Sequence, residues 1–237
     1  MIRLSERLQT VAHQVEICGV TADIGCDHGF TSIYLIQQGI SHRVIAMDIN
    51  KGPLERARDH VEQYGLSGQI ELRLSDGAEK LRPGEADTLL ISGMGGALIC
   101  KILDDSPEVV KEVKELVLSP QSEWAVVRHY LQDHGFRISR EAMVYDQGKY
   151  YLVLRAVPGE QNYCEDIEYT YGKYLLENGD ECLASFLKKE DIRIRRILKG
   201  MESKKLSEQA ERQKRELTGE LDNVRRAMQI CLGRKEG

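Results

Sequence analysis

The sequence predicts an α/β fold: a mostly parallel, doubly flanked sheet followed by a smaller all-helical domain. Three observations carry that reading. Five short apolar, β-rich runs alternate with amphipathic stretches, two more strand-like runs follow them, and the last third of the chain shows helical periodicity alone. A length of 237 residues suits one α/β domain plus an appendage, with a core large enough to need no covalent staples.

In chain order, the segment RLSERLQTVA reads as an N-terminal helix. The runs VTADIG (20–25), RVIAMDI (43–49), QIELRLS (69–75), ADTLLIS (86–92) and ELVLSP (115–120) then read as strands, each separated from the next by a helix-like stretch, as in successive βαβ units. Residues 136–158 hold two strand-like runs joined through Asp146-Gln147-Gly148, a spacing that suits a hairpin, so an antiparallel pair is expected to close the sheet edge. Beyond Pro158-Gly159 no strand-like run remains. Leu183, Phe186, Leu187, Ile194, Ile197, Leu198 and Met201 recur at a 3.6-residue period, and Leu206, Leu217, Leu221, Val224 and Met228 continue a sparser stripe. The expected organisation is a sheet domain over 1–158 and an antiparallel helix pair within 159–237.

The net charge of −5 is unevenly spread: residues 186–237 carry 15 Lys and Arg against 9 Asp and Glu, which leaves −11 on the rest. The C-terminal segment is therefore the basic part. Six scattered cysteines with no C-x-x-C pair, and no signal-like apolar start, read as reduced thiols in a cytoplasmic protein. No apolar run approaches the roughly 20 residues of a membrane span. The histidines form no metal-ligand spacing, so no metal is expected.

The first strand and its turn spell D-x-G-x-D-x-G through Asp23, Gly25, Asp27 and Gly29. Glycines let the backbone turn sharply against a ligand, and the following helix offers N–H groups at its positive end. The spacing is not the G-x-G-x-x-G of a pyrophosphate site, and a carboxylate at Asp27 would repel a pyrophosphate. A ligand carrying positive charge, such as the sulfonium and ammonium of S-adenosylmethionine, meets no such penalty. Asp48 ends the second strand, where it can accept hydrogen bonds from both ribose hydroxyls. Asp76-Gly77 follows the third strand, where the Asp can accept from an adenine amino group while the Gly admits the base. Taken singly, each carboxylate also reads as a turn residue; together they gather at strand C-termini, where open α/β sheets bind ligands. After the fourth strand, ISGMGG lacks any acidic residue, and Gly93, Gly95 and Gly96 read either as a backbone floor for a flat base or as a tight strand-to-helix turn.

These segments resemble the bacterial TrmK-type tRNA (adenine-N1)-methyltransferases, which act on adenine 22. The resemblance lies in RLSERLQTVA, DIGCDHGF, MDIN, SDGAEKL, ISGMGG and LSPQSE (118–123), and covers most of the first 157 residues. It implies a class I, Rossmann-like, S-adenosylmethionine-dependent methyltransferase sheet with a C-terminal coiled-coil-like domain, tRNA as partner, and a monomer as the favoured state. Adenine N1 is a neutral nucleophile, so a carboxylate is needed less to start the reaction than to stabilise the charge appearing on the purine. Asp27 is the candidate, oriented by His28; the competing reading has Asp27 capping the first helix and His28 packed. The expected cofactor wall is Arg7, Asp23, Gly25, Cys26, Asp48, Ile49, Asp76, Gly77, Ser92 and Gly93. Met94, Gly95, Gly96 and Gln121 are expected at the base, and Lys188, Lys189, Arg193 and Arg196, with neighbouring Arg195, Lys199, Lys204 and Lys205, on tRNA phosphates. Competing functions are a small-molecule methyltransferase, a non-catalytic S-adenosylmethionine-responsive RNA-binding module and, disfavoured by the glycine spacing, a dinucleotide oxidoreductase.

Overall fold

A computed structural model of the chain describes residues 1–16, 18–202 and 207–233. Lys204, Lys205 and Leu206 lie outside the described residues. The chain divides into two compact units, Met1–Asn162 and Tyr163–Gly237.

In the first unit, helix α1 (Glu6–Gln14) starts at Ser5, whose hydroxyl accepts from the Leu8 N–H, and buries Val11 and Ala12. Strands β1 (Cys18–Ile24), β2 (Ser41–Asp48), β3 (Ile70–Leu74), β4 (Thr88–Met94) and β5 (Glu115–Pro120) are parallel, with helices α2 (Phe30–Gln37), α3 (Lys51–Gln63), α4 (Gly96–Asp104) and the short α5 (Pro107–Val110) in the crossovers. Their centres are almost continuously apolar because helices cover both faces: Leu89, Leu90, Ile91, Leu116, Val117 and Leu118 are all buried. After α6 (Trp124–Asp133) come β6 (Phe136–Asp146) and β7 (Lys149–Pro158), giving the order β3-β2-β1-β4-β5-β7-β6. The hairpin turn is Gln147-Gly148, both at positive φ (48° and 86°), the primed turn that matches strand twist. It is β7 that pairs with β5, antiparallel, leaving β6 at the edge. The strand order reverses between β1 and β4, so the crevice beyond their C-terminal ends is where a ligand fits.

The division falls after Asn162, four residues beyond the expected boundary at 158. Residues 159–161 remain with the sheet: the Gly159 N–H donates to the Gly135 carbonyl (2.9 Å) and Gln161 Oε1 accepts from the Ile138 N–H (2.6 Å).

The second unit is helical. Two short helices not distinguished in the sequence, α7 (Asp166–Tyr171) and α8 (Lys173–Glu177), are separated by Gly172 at φ 89°. They precede α9 (Glu181–Glu202) and α10 (Glu208–Gly233). The long pair is antiparallel: Arg193 meets Glu220 at 2.7 Å and Asp191 meets Arg225 at 3.5 Å, so numbering rises on one helix as it falls on the other. Leu183, Leu187 and Ile194 face Leu217, Leu221 and Val224 in the buried seam. Ile197, expected in that stripe, is exposed, because it sits three residues past Ile194 and about 60° round the helix. Among the described residues no helix is long and apolar enough to cross a membrane, and no three His, Cys, Asp or Glu side chains are grouped to hold a metal ion.

Candidate functional site

The turn from β1 into α2 is shaped by three residues at positive φ: Gly25 (76°), Asp27 (49°) and Gly29 (72°). The N–H groups of Gly25 and Cys26 both donate to the Met47 carbonyl (2.8 and 2.9 Å), which hooks the turn over the end of β2. A Cβ on Gly25 would meet the Met94 methyl, the end of a flexible side chain that can move aside, so it is the left-handed φ that requires glycine here. Gly29 is the N-cap residue of α2, and no side chain caps that helix. The capping reading of Asp27 is thereby corrected: its carboxylate is 65% exposed, 3.7 Å from His28 Nε2 and 3.8 Å from an Arg56 nitrogen, and so is only loosely held. His28 does not pack inward either. Its ring stacks on half-exposed Phe30 (5.4 Å, 14°), while its carbonyl meets His60 Nδ1 at 3.0 Å.

Asp48 accepts from two backbone N–H groups, Asp27 at 3.3 Å and Asn50 at 2.8 Å, one to each carboxylate oxygen. Both oxygens keep a further lone pair for a ligand hydroxyl. Asp23 is buried at the end of β1 and accepts from the Ser32 hydroxyl at 2.6 Å. Burial pushes its carboxyl up to about 6, the Ser32 hydrogen bond opposes this, and the Asp48 carboxylate adds to it. Burial and the surrounding carboxylates push the Cys26 thiol well above its ordinary value, which leaves it neutral. Gly77, at φ 51°, is pressed against Ile102, whose methyl a Cβ would meet at 3.0 Å. On the far side, the β4–β5 ladder shifts register between Ser92 and Met94, and Gly93 takes φ 82° with Arg7 and Gln121 nearest to it.

These elements enclose one cavity of about 580 Å³ at the C-terminal end of the sheet. Its wall includes Arg7, Asp23, Gly25, Cys26, Asp48, Ile49, Asp76, Gly77, Ser92 and Gly93, together with Asp27, His28, Met94 and Gln121. Four carboxylates against one guanidinium make a cavity suited to a ligand carrying positive charge. Gly95 and Gly96 are not part of it. Gly96 is held against the backbone before α6, where a Cβ would lie 2.8 Å from the carbonyls of Ser122 and Glu123, and the Ala97 N–H donates to Glu123 Oε2. Gly96 thus ties the turn after β4 to the turn after β5, as the tight-turn reading expects of it.

Two residues that touch wall side chains, Ser32 beside Asp23 and Tyr151 beside Arg7, were missed in the sequence. Ser32 follows Asp23 by nine positions and looks like any helix residue until α2 folds back over β1. Tyr151 is another: the Arg7 guanidinium lies 5.1 Å from its ring centroid, a cation–π contact between α1 and β7 that no local spacing announces. In the second unit, Arg193 is engaged by Glu190 and Glu220, both at 2.7 Å, and Lys188, Lys189 and Arg196 lie on the exposed surface of α9.

Comparison with known proteins places this geometry among methyltransferases. The profile of a methyltransferase-domain family matches residues 4–154. The tRNA (adenine(22)-N(1))-methyltransferase of Bacillus subtilis is 36% identical over 165 residues, spanning 70% of this chain and 69% of that protein. The crystal structure of the B. subtilis m1A22 tRNA methyltransferase TrmK superposes with a TM-score of 0.85 at 28% identity, covering 96% of this chain and 100% of that one. TrmK of M. capricolum, solved in complex with S-adenosyl-homocysteine, superposes with a TM-score of 0.84 at 26% identity, covering 96% and 99%.

Proposed function

The chain belongs to the tRNA (adenine(22)-N1)-methyltransferase family, and from that premise we propose that it transfers a methyl group from S-adenosylmethionine to N1 of adenine 22 in tRNA. The observation that carries this reading is the convergence of Asp23, Asp27, Asp48 and Asp76 on one cavity where the strand order reverses. The residues fit the cofactor. The volume lies within the roughly 300–1,000 Å³ of small-ligand sites, the carboxylates match a cationic ligand, and the left-handed Gly77 and Gly93 keep the wall free of side chains.

Asp48 would hold the ribose hydroxyls with its unused lone pairs, and Asp76 the adenine amino group beside Gly77. Buried Asp23, kept in place by Ser32, would contribute negative potential to the cavity, favouring a cationic ligand. When bound, S-adenosylmethionine supplies an electrophilic methyl group on sulfur. Asp27, exposed and loosely partnered at the cavity wall, would accept from the target base and stabilise the positive charge that develops on it. His28, braced by Phe30, limits where that carboxylate can swing. Lys188, Lys189 and Arg196 would meet tRNA phosphates, which makes affinity fall steeply with salt.

The test is radiolabelled methyl transfer from S-adenosylmethionine to an unmodified tRNA transcript, beside a transcript substituted at adenine 22, followed by nucleoside analysis. N1-methyladenosine on the first transcript alone is the expected result. Transfer to both, or to neither while the cofactor binds, would overturn the assignment.

A further inference from the structure

The cavity wall holds one charge that its other residues do not match. Among the described residues that line the cavity, Arg7, near the start of α1, is the sole Lys or Arg, and it shares the wall with Asp23, Asp27, Asp48 and Asp76. Its backbone N–H donates to Asp146 Oδ2 at 3.2 Å, but among the described residues its guanidinium meets no carboxylate. What holds the guanidinium is the half-buried ring of Tyr151, over which it lies at 5.1 Å from the centroid. A cation over a ring face uses none of the five guanidinium N–H donors, which therefore remain for a ligand.

Both anchors come from one rigid hairpin. Asp146 ends β6 opposite Lys149, Tyr151 lies two residues along β7 opposite Val144, and the two-residue turn between the strands fixes the pair relative to one another. Main chain and side chain of Arg7 are thus each held by residues some 140 positions away. Toward the cavity, Arg7 Nη1 and Gln121 Nε2 each lie 3.8 Å from where a Cβ on Gly93 would sit. Two donors therefore flank bare backbone at the wall, an arrangement that suits a small anion.

We propose that Tyr151 is a positioning residue that holds the Arg7 guanidinium to receive the carboxylate of S-adenosylmethionine, with Gln121 supplying a second donor, an inference that rests on the cofactor reading above. The cofactor carries a sulfonium, an ammonium and one carboxylate. The four Asp side chains match the two cations and would repel the anion unless it is set against Arg7. Hydrogen bonds to such a charge correspond to about 10- to 150-fold in affinity. Tyr151 does not line the cavity, so it acts through Arg7, and ordering that long side chain before the ligand arrives lowers the entropy lost on binding. Its part is played by the ring, since among the described residues its hydroxyl makes no hydrogen bond.

The experiment measures Kd for S-adenosylmethionine and for decarboxylated S-adenosylmethionine, which keeps both cations and lacks only the anion, in wild type, Arg7→Met, Tyr151→Leu and Tyr151→Phe. Wild type should prefer the complete cofactor by about 10-fold or more. Arg7→Met should abolish that preference, Tyr151→Leu should cut it by about 3-fold or more, and Tyr151→Phe should keep it. Partial unfolding weakens both ligands by the same factor, so the ratio of the two constants reports positioning alone. A wild-type ratio in Tyr151→Leu, or equal loss in the Leu and Phe variants, would overturn the role of the ring. A preference that survives Arg7→Met while KM for the tRNA transcript rises would overturn it in favour of a phosphate contact. A wild-type protein that binds neither ligand would instead overturn the cofactor reading itself, so the two failures are distinct.

Discussion

Replacing Asp23 with Asn should stabilise the sheet unit at pH 8 while weakening its hold on the cofactor. Asp23 is buried, its carboxyl pushed from 3.8 to about 6 by that burial and secondarily by Asp48, against the Ser32 hydrogen bond. Unfolded, the group titrates near 3.8, so between that value and 6 the folded protein binds more protons than the unfolded chain. The stabilising contribution is therefore complete below about pH 4 and is lost as pH rises through 6. At 1.36 kcal/mol per pH unit, keeping the group ionised at pH 8 costs about 3 kcal/mol. Asn does not titrate, and its carbonyl oxygen can still accept from Ser32; its buried amide gives back part of the gain, leaving about 1–2 kcal/mol. At roughly 2–4 °C per kcal/mol for a unit of this size, the melting temperature should rise by about 2–8 °C at pH 8. Calorimetric scans of both proteins at pH 8, 6 and 4.5 follow the gain, which should shrink as pH falls and be nearly gone at the lowest value. Titration calorimetry should show weaker S-adenosylmethionine binding by the variant, because a buried negative charge facing a cation has been removed. A variant that is no more stable at pH 8, or whose gain is the same at every pH, would refute the argument.

Asp27→Ala should lower kcat by about 100-fold while leaving cofactor affinity and melting temperature nearly unchanged, since α2 has no side-chain cap to lose; full activity with a lower melting temperature would point back to a structural role. Gly25→Ala should cost roughly 1–3 kcal/mol by urea denaturation, from the forced left-handed φ, and Met94→Ala in the same chain should recover little of it, since the Met94 methyl can move aside on its own. The fully buried Arg128–Glu141 pair, 2.8 Å apart between α6 and β6, makes a sharper case. Arg128→Met alone should destabilise by about 3–5 kcal/mol, whereas Arg128→Met with Glu141→Leu should approach wild type; additive losses would contradict the charge-burial account.

What the sequence determined by itself was whatever depends on local spacing. The alternation of apolar runs specified the βαβ order, and the two residues after Asp146 specified the hairpin. Strand ends carrying Asp23, Asp48 and Asp76 marked the ligand crevice, because in a parallel sheet every βα turn emerges at the same end. Tertiary structure decided the contacts between residues far apart in the chain, which require strand register and helix packing before they exist. Only the fold showed that Asp27 is no helix cap, that Gly96 is pinned beneath the carbonyls of Ser122 and Glu123, and that Ser32 restrains a buried carboxylate. The same holds for Arg7 across Tyr151: antiparallel insertion of β7 brings residues near 150 to the end of the sheet where residues near 25 line the cavity. Periodicity reports which face of an element is buried, and it carries no information about which distant residue buries it.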